Sequence, residues 1–257
     1  MQPRDSISEA IRNASLSGRP ALVAFMTAGF PDRGRFAADL LKVGEAADVI
    51  EIGMPFSDPM ADGMTIQRSS RVALANGVTL DWIIAELATL ANRPQAPLLL
   101  MSYLNPLLAR GIDRLAADAR VAGIAGFIVP DLPFEECAEL RAALDGVGIA
   151  LVQMVTPVTP AARLAMLARE SQGFVYAVTM TGTTGRDVAV PDAVLDYLDR
   201  VRSAATVPVC AGFGIRHADQ VTRLTGHADG VIVGSTLVEV LERGGDPAAF
   251  LRGLRSS

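Results

Sequence analysis

Eight short apolar runs rich in β-branched residues punctuate this chain, at positions 21–26, 48–52, 97–103, 126–129, 149–155, 174–179, 207–211 and 230–233. A strand with one wet face alternates apolar and polar residues, whereas near-continuous runs of this kind mark strands covered on both faces. Between them lie stretches with apolar residues at three- and four-residue spacing, at 36–46, 80–90, 112–121, 134–144, 161–168, 193–201 and 218–224, which predict amphipathic helices. Strands that alternate with helices pair in parallel through crossovers, so the chain is an α/β protein. Eight such units within 257 residues match a (β/α)₈ TIM barrel spanning 1–257 as a single domain, with an extra N-terminal helix ahead of it. Periodicity by itself leaves an open doubly wound sheet available, and the placement of the polar motifs decides between the two.

Helix starts carry their own signals. Ser6 with Glu9 reads as a capping box, while Asp32, Thr159 before Pro160 and Asp246 before Pro247 read as caps leading into first turns. Arg4, Asp5 and Glu9 interrupt the place where a secretory leader needs an apolar core, and the longest apolar runs, such as 96–101, fall short of the roughly 20 residues that cross a bilayer. The expectation is a soluble protein with no membrane role. A net charge of -5 with scattered Lys and Arg argues against nucleic acid as a partner. Two distant cysteines, Cys137 and Cys210, form neither a disulfide framework nor a zinc spacing, which suits a reducing cytoplasm.

In a barrel the ligand sits at the carboxyl ends of the strands, so the informative residues are those at which each apolar run stops. The first run stops at Thr27-Ala28-Gly29-Phe30-Pro31, the third at Tyr103-Leu104-Asn105-Pro106, the fourth at Pro130-Asp131-Leu132-Pro133, and the sixth, with Tyr176, at the loop 180–187. Glu51 lies inside the second apolar strand, where loss of hydration raises a carboxyl pKa and leaves it able to give and take a proton near neutrality. Standing alone, Glu51 reads equally well as a salt-bridged strand-end residue. Asp62 follows eleven positions later, after a Pro- and Asp-rich loop that can fold back over the barrel mouth; on its own, an aspartate before glycine is more often a turn residue. Ala211-Gly212-Phe213-Gly214-Ile215 and Val233-Gly234-Ser235-Thr236 follow the last two strands. Glycines that admit an anion to the backbone, next to a helix start, are the ingredients of a phosphate cradle, and the loop 182–185 offers a third wall. A lone glycine pair would equally make a tight turn.

Absences narrow the chemistry. The only lysine, Lys42, falls on a predicted outer helix, so no strand-end lysine is available for a Schiff base. His217 and His227 are the only histidines and read as surface residues, so no metal site is expected. Carbon–carbon chemistry at this site has to be acid–base catalysis on a substrate that carries its own electron sink.

The segment Glu51-Ile52-Gly53-Met54-Pro55-Phe56-Ser57-Asp58-Pro59-Met60-Ala61-Asp62-Gly63, followed by Thr65-Ile66-Gln67, resembles the family of tryptophan synthase alpha subunits. Phe25 to Pro31, Asp131-Leu132-Pro133, Gly182-Thr183-Thr184-Gly185, Gly212-Phe213-Gly214-Ile215 and Gly234-Ser235 extend the resemblance in the same order along nearly the whole chain. The resemblance implies a retro-aldol cleavage of indole-3-glycerol phosphate to indole and glyceraldehyde 3-phosphate. It implies that Glu51 protonates C3 of the indole and then assists deprotonation of the glycerol hydroxyl, while Asp62 accepts from the ring N–H. By the same resemblance Tyr176 packs against the substrate, Phe25 and Phe213 line the indole pocket, Gly185, Gly214, Gly234 and Ser235 grip the phosphate, and Thr184 helps close the site and orient Asp62. It further implies an αββα complex with a beta subunit, contacted through Pro55, Phe56, Asp58, Asn105 and Pro106, with pyridoxal phosphate in that partner and no cofactor in this chain. Met54, Phe56 and Met60 read equally well as a lid packed within the chain itself. Met64, where the family more often has proline, and Thr183, where an aliphatic residue is usual, are departures. Two other readings share the same catalytic residues: a stand-alone lyase that releases indole, and a catalytically weak barrel that activates a beta subunit. An indole-glycerol phosphate synthase is disfavoured by the missing strand-end lysine.

Overall fold

The computed structural model describes residues 2–179, 190–212 and 214–255. Eight strands, β1 (Ala21–Thr27), β2 (Val49–Gly53), β3 (Leu98–Met101), β4 (Ile124–Ile128), β5 (Ala150–Val155), β6 (Val175–Val178), β7 (Val209–Gly212) and β8 (Gly230–Val233), follow one another around a closed barrel. Every neighbouring pair is parallel, and β8 returns to β1 with Ala21 opposite Gly230. The open-sheet alternative is thereby excluded.

Side-chain alternation along the strands divides the apolar residues into two layers. One row, including Leu22, Ile50, Leu100, Leu151 and Val231, packs outward against the helices. The other, including Val23, Val49, Leu99, Val152, Cys210 and Ile232, fills the barrel interior. The expected N-terminal helix exists as Pro3–Leu16 and places Ile7 and Ile11 in that inner layer, both fully buried. It therefore plugs the end of the barrel at which the strands begin. Gly126 in β4 makes room for the plug, since a Cβ there would meet Ile7 at 2.9 Å and Leu99 at 2.6 Å. Below the barrel, Asp48 accepts hydrogen bonds from Arg19 at 3.0 and 3.1 Å, from Arg255 at 2.7 Å and from the Leu22 amide at 2.8 Å, tying β1, β2 and the C-terminal segment together.

Some expected boundaries move for local reasons. The N-terminal helix starts at Pro3 with Gln2 as its cap, so Ser6 is an interior residue that donates to the Pro3 carbonyl, and the Ser6–Glu9 capping box is not formed. Thr159 does not cap the helix Ala161–Glu170; its hydroxyl accepts from the Thr156 amide and closes the preceding turn. Asp32 and Asp246 do cap, accepting from Gly34 and from Ala248 and Ala249. The third strand ends at Met101, because a helix over Leu104–Arg110 begins almost at once, with its first amide donating to Asp131 from the next loop at 2.9 Å. A cap supplied from another unit leaves no local trace in sequence. Stretch 134–144 splits into a short 3₁₀ turn, Phe134–Glu136, and a helix, Ala138–Gly146. The helices Met64–Ala75 and Pro247–Gly253 complete the outer ring.

Truncating the plug tests its part in the core. Ile7→Ala should lower stability by about 2–5 kcal/mol in urea unfolding, the range for a large buried aliphatic side chain; a loss below about 0.5 kcal/mol, as at a surface site, would show that the helix does not carry the barrel floor.

Candidate active site

The strand carboxyl ends surround a cavity of about 420 Å³. Glu51, Asp62, Phe25, Tyr176, Gly214, Gly234 and Ser235 all line it, so the sequence-predicted residues from β1, β2, β6, β7 and β8 converge on one space. Thr184 and Gly185, with the motif around them, and Phe213 lie outside the described residues.

Glu51 belongs to the inward row of β2. In register it stands between Phe25 of β1 and Leu99 of β3, both buried apolar residues, and it is 1% exposed itself. Neither of its carboxylate oxygens has a hydrogen-bond partner among the described residues. Burial pushes its carboxyl up to about 8, and the nearby Asp62 carboxylate adds to the rise. That rise favours the neutral acid at pH 7, on the wall of the cavity. Phe25 is held across this region because Gly53 has no side chain: a Cβ there would lie 2.4 Å from the Phe25 ring.

Asp62 reaches the cavity from the β2 loop, just ahead of the helix Met64–Ala75. The Gln67 side chain donates to its carbonyl at 2.9 Å, and the neighbouring Ala61 amide donates to the Tyr103 hydroxyl at 2.9 Å. Burial raises the Asp62 carboxyl to about 6, while a hydrogen bond from Tyr103 pulls the other way. Tyr103 itself is pushed up to about 12, chiefly by burial, and remains a donor throughout the neutral range. Burial acts on both carboxyls, and Glu51, wholly buried and next to Asp62, is raised the more strongly. Tyr176 is raised well above its ordinary value by burial and by the Glu51 and Asp62 charges. Its ring covers Gly212, where a Cβ would meet it at 2.8 Å.

The two glycine segments lie side by side. The Thr236 hydroxyl donates to the Ile215 carbonyl at 2.9 Å, linking the loop after β7 to the first turn of the helix Ser235–Glu242. Gly214 has φ +77°, the left-handed region that a side chain disfavours. Arg216 is held by Glu239 at 2.9 Å. No Lys or Arg is among the described lining residues, so the polar groups that could meet an anion beside Gly234 and Ser235 are backbone N–H groups at the helix start.

The residues expected to meet a partner lie beside the mouth rather than in the cavity. Pro55 is buried, Phe56 stacks on Tyr103 with centroids 4.9 Å apart, Asp58 and Asn105 are exposed, and Pro106 is half-buried in the first turn of its helix. Met54 packs on the core, as the lid reading expects, whereas Met60 is 90% exposed and Met64 65%. Lys42 sits on an outer helix; His217 caps the helix Ala218–Leu224 and His227 pairs with Asp199. Tyr103 was legible as a strand-end polar residue but carried no sign of its reach to Asp62. Met101, Met154, Ile66 and Ile232 also line the cavity, and nothing distinguishes them in sequence from core residues.

Residues 11–251 match the family model of the tryptophan synthase alpha chain. The chain belongs to the tryptophan synthase alpha chain family. The alpha chain of Desulfovibrio desulfuricans is 46% identical over 248 residues, covering 95% of this chain and 97% of that one. That of Geobacter sulfurreducens is 44% identical over 248 residues, covering 94% of each. Among solved structures, a Mycobacterium tuberculosis tryptophan synthase chain superposes with a TM-score of 0.88 at 32% identity, covering 98% of both chains. A chain from the tryptophan synthase a2b2 complex of Pyrococcus furiosus gives 0.84 at 35% identity, covering 91% of this chain and 96% of that one.

Membership of the alpha chain family leaves the ionisation of Glu51 open to a direct stability test. Its folded pKa is raised, so the neutral side chain contributes fully below about pH 4.5, and that contribution is lost as pH rises toward about 8. Relative to Glu51→Gln, the wild-type chain should lose on the order of 4 kcal/mol of unfolding free energy across this window and then level off. A difference that stays constant from pH 4.5 to pH 8 would show that Glu51 is ionised in the folded protein.

Proposed function

We propose that this chain, working as one domain over residues 1–257, cleaves indole-3-glycerol phosphate to indole and glyceraldehyde 3-phosphate by acid–base catalysis. The observation that carries the reading is that Glu51, buried without a partner for either oxygen, and Asp62 line one cavity, with Glu51 pushed up the more strongly. Family membership and the structural likeness to tryptophan synthases support it.

In this scheme Glu51 gives its proton to C3 of the indole, and the electron pair of the enamine-like C2–C3 bond forms the new C–H bond. Positive charge develops at the ring nitrogen, where the Asp62 carboxylate accepts the N–H hydrogen bond. The Glu51 carboxylate left behind removes the proton of the glycerol hydroxyl next to the ring. That C–O bond becomes a carbonyl, the bond to C3 breaks, and its electrons return to the indole. Proton balance is restored on Glu51, so one carboxyl is both acid and base. Phe25 and Tyr176 bracket the ring, while the backbone around Gly214, Gly234 and Ser235 takes the phosphate; Phe213, Thr184 and Gly185 are assigned to the same binding on family resemblance. The reaction needs no metal or organic cofactor from this chain.

A beta subunit that carries pyridoxal phosphate takes up the indole in this proposal, in a cytoplasmic α2β2 complex for tryptophan biosynthesis. Phe56, Asp58, Asn105 and Pro106, with the exposed Met60 and Met64, form the face offered to it, and the buried Pro55 underlies that face. The a2b2 assembly of the Pyrococcus furiosus relative supports that reading.

The test is to incubate the purified chain with indole-3-glycerol phosphate, with and without a beta subunit, and measure indole. Wild type should release indole and be stimulated by the partner, and Glu51→Gln should lose roughly 10²- to 10⁴-fold in rate, about 3–5 kcal/mol in barrier. Near-wild-type turnover by Glu51→Gln would overturn the proton-transfer role. High turnover without stimulation would favour a stand-alone lyase.

A further inference from the structure

Outside the cavity, a single carboxylate touches two of the segments that line it. Glu239 lies on the helix Ser235–Glu242, one turn after Ser235 and on the same face. Its Oε2 accepts from the Arg216 guanidinium at 2.9 Å, and its Oε1 accepts from the Thr65 hydroxyl at 3.5 Å. Arg216 follows Gly214 closely in the chain and Thr65 follows Gly63, and both glycines line the catalytic cavity. One side chain therefore joins the loop after β7 to the first turn of the helix Met64–Ala75, which begins just after Asp62.

The surroundings favour a fixed bridge over a passing surface contact. The side chains of Arg216 and Glu239 are 23% and 17% exposed, so water and salt screen this pair less than one on the open surface. The arginine backbone is pinned as well: its amide donates to the Gln220 side chain at 2.7 Å, and the preceding Ile215 carbonyl accepts from Thr236 at 2.9 Å. Arg243, at 3.9 Å and 78% exposed, adds only a loose second cation. The same two helices share another bridge, in which Arg68 holds both oxygens of Glu242 at 3.0 and 2.7 Å, nearer to solvent. That outer bridge ties helix to helix, whereas Glu239 also ties in the loop beside Gly214.

The geometry points to Glu239 as a positioning residue for the cleavage assigned to this site: it sets the backbone at Gly214, on the phosphate side, relative to the segment that presents Asp62 to the ring nitrogen. The inference rests on that reading of the reaction and gives Glu239 no contact with substrate. Its two arms do different work. The Arg216 arm steadies the binding of the phosphate, an interaction common to ground state and transition state, while the Thr65 arm steadies the group that meets charge developing in the reaction. Loss of the first should appear in KM and loss of the second in kcat.

The test uses the full chain, with steady-state cleavage of indole-3-glycerol phosphate beside calorimetric binding of glycerol 3-phosphate. Arg216→Met should raise KM and weaken glycerol 3-phosphate roughly five- to tenfold at nearly constant kcat, whereas Thr65→Val should lower kcat by a similar factor at nearly constant KM. Glu239→Gln, equal in shape but with one acceptor oxygen in place of two, should do both, and adding Arg216→Met to it should raise KM by less than about twofold more. Arg68→Ala, which cuts the outer bridge, should leave both constants within about twofold of wild type. Unchanged kcat and KM in Glu239→Gln, equal losses in Arg68→Ala, or tighter glycerol 3-phosphate in Glu239→Gln, as a freed Arg216 would give, would overturn the proposal. Absence of indole from wild type counts against the acid–base reading instead, and the affinity for glycerol 3-phosphate then still decides the Arg216 arm.

Discussion

A carboxyl group placed within a ring of apolar strands loses the hydration that stabilises its charge, and the rest of this site is arranged around that loss. Glu51 is flanked in register by Phe25 and Leu99 and has no partner for either oxygen, so the neutral acid is its resting form at pH 7. An isolated buried carboxyl of this kind is a destabilising element. The closed barrel carries that penalty through its two apolar layers and the plug formed by Ile7 and Ile11. Strain of function sits at one end of the strands, and its support at the other.

Asp62 shows how small differences in surroundings separate two like groups. It too is raised by burial, yet the Tyr103 hydroxyl pulls it back, and the two settle at about 8 and about 6. Tyr103 also fixes the loop itself, through the Ala61 amide and its stack on Phe56. The same loop that delivers the Asp62 carboxylate thus presents Met60 to the outside, and anything seated on that face touches the backbone that positions Asp62. The cavity has no cation among its described lining residues, which keeps the field at Glu51 from forcing it to ionise. An anion bound through backbone N–H groups at Gly234 and Ser235 can be held without placing a lysine or arginine beside the acid.

Much of this was legible in the residues. Parallel strands buried on both faces announce themselves as continuous apolar runs, and a glutamate inside one of them is conspicuous because nothing local accounts for it. Gly53 and Gly212 were visible only as motif letters, and the structure supplies the reason, since Phe25 and Tyr176 occupy the space where side chains would be. What sequence could not show were relations across units. Asp131 caps a helix that begins at Leu104, and Tyr103 reaches Ala61 across 42 positions. The expected capping box at Ser6 fails for a local reason instead, because Pro3 after Gln2 starts the helix earlier.

The central claim is the protonation state of one side chain, and infrared difference spectroscopy reads it directly. The carbonyl stretch of a protonated carboxylic acid, assigned to Glu51 by its absence in Glu51→Gln, should persist through neutral pH and disappear with a midpoint near 8. A band already gone by pH 5, with only the carboxylate signal in its place, would contradict the account.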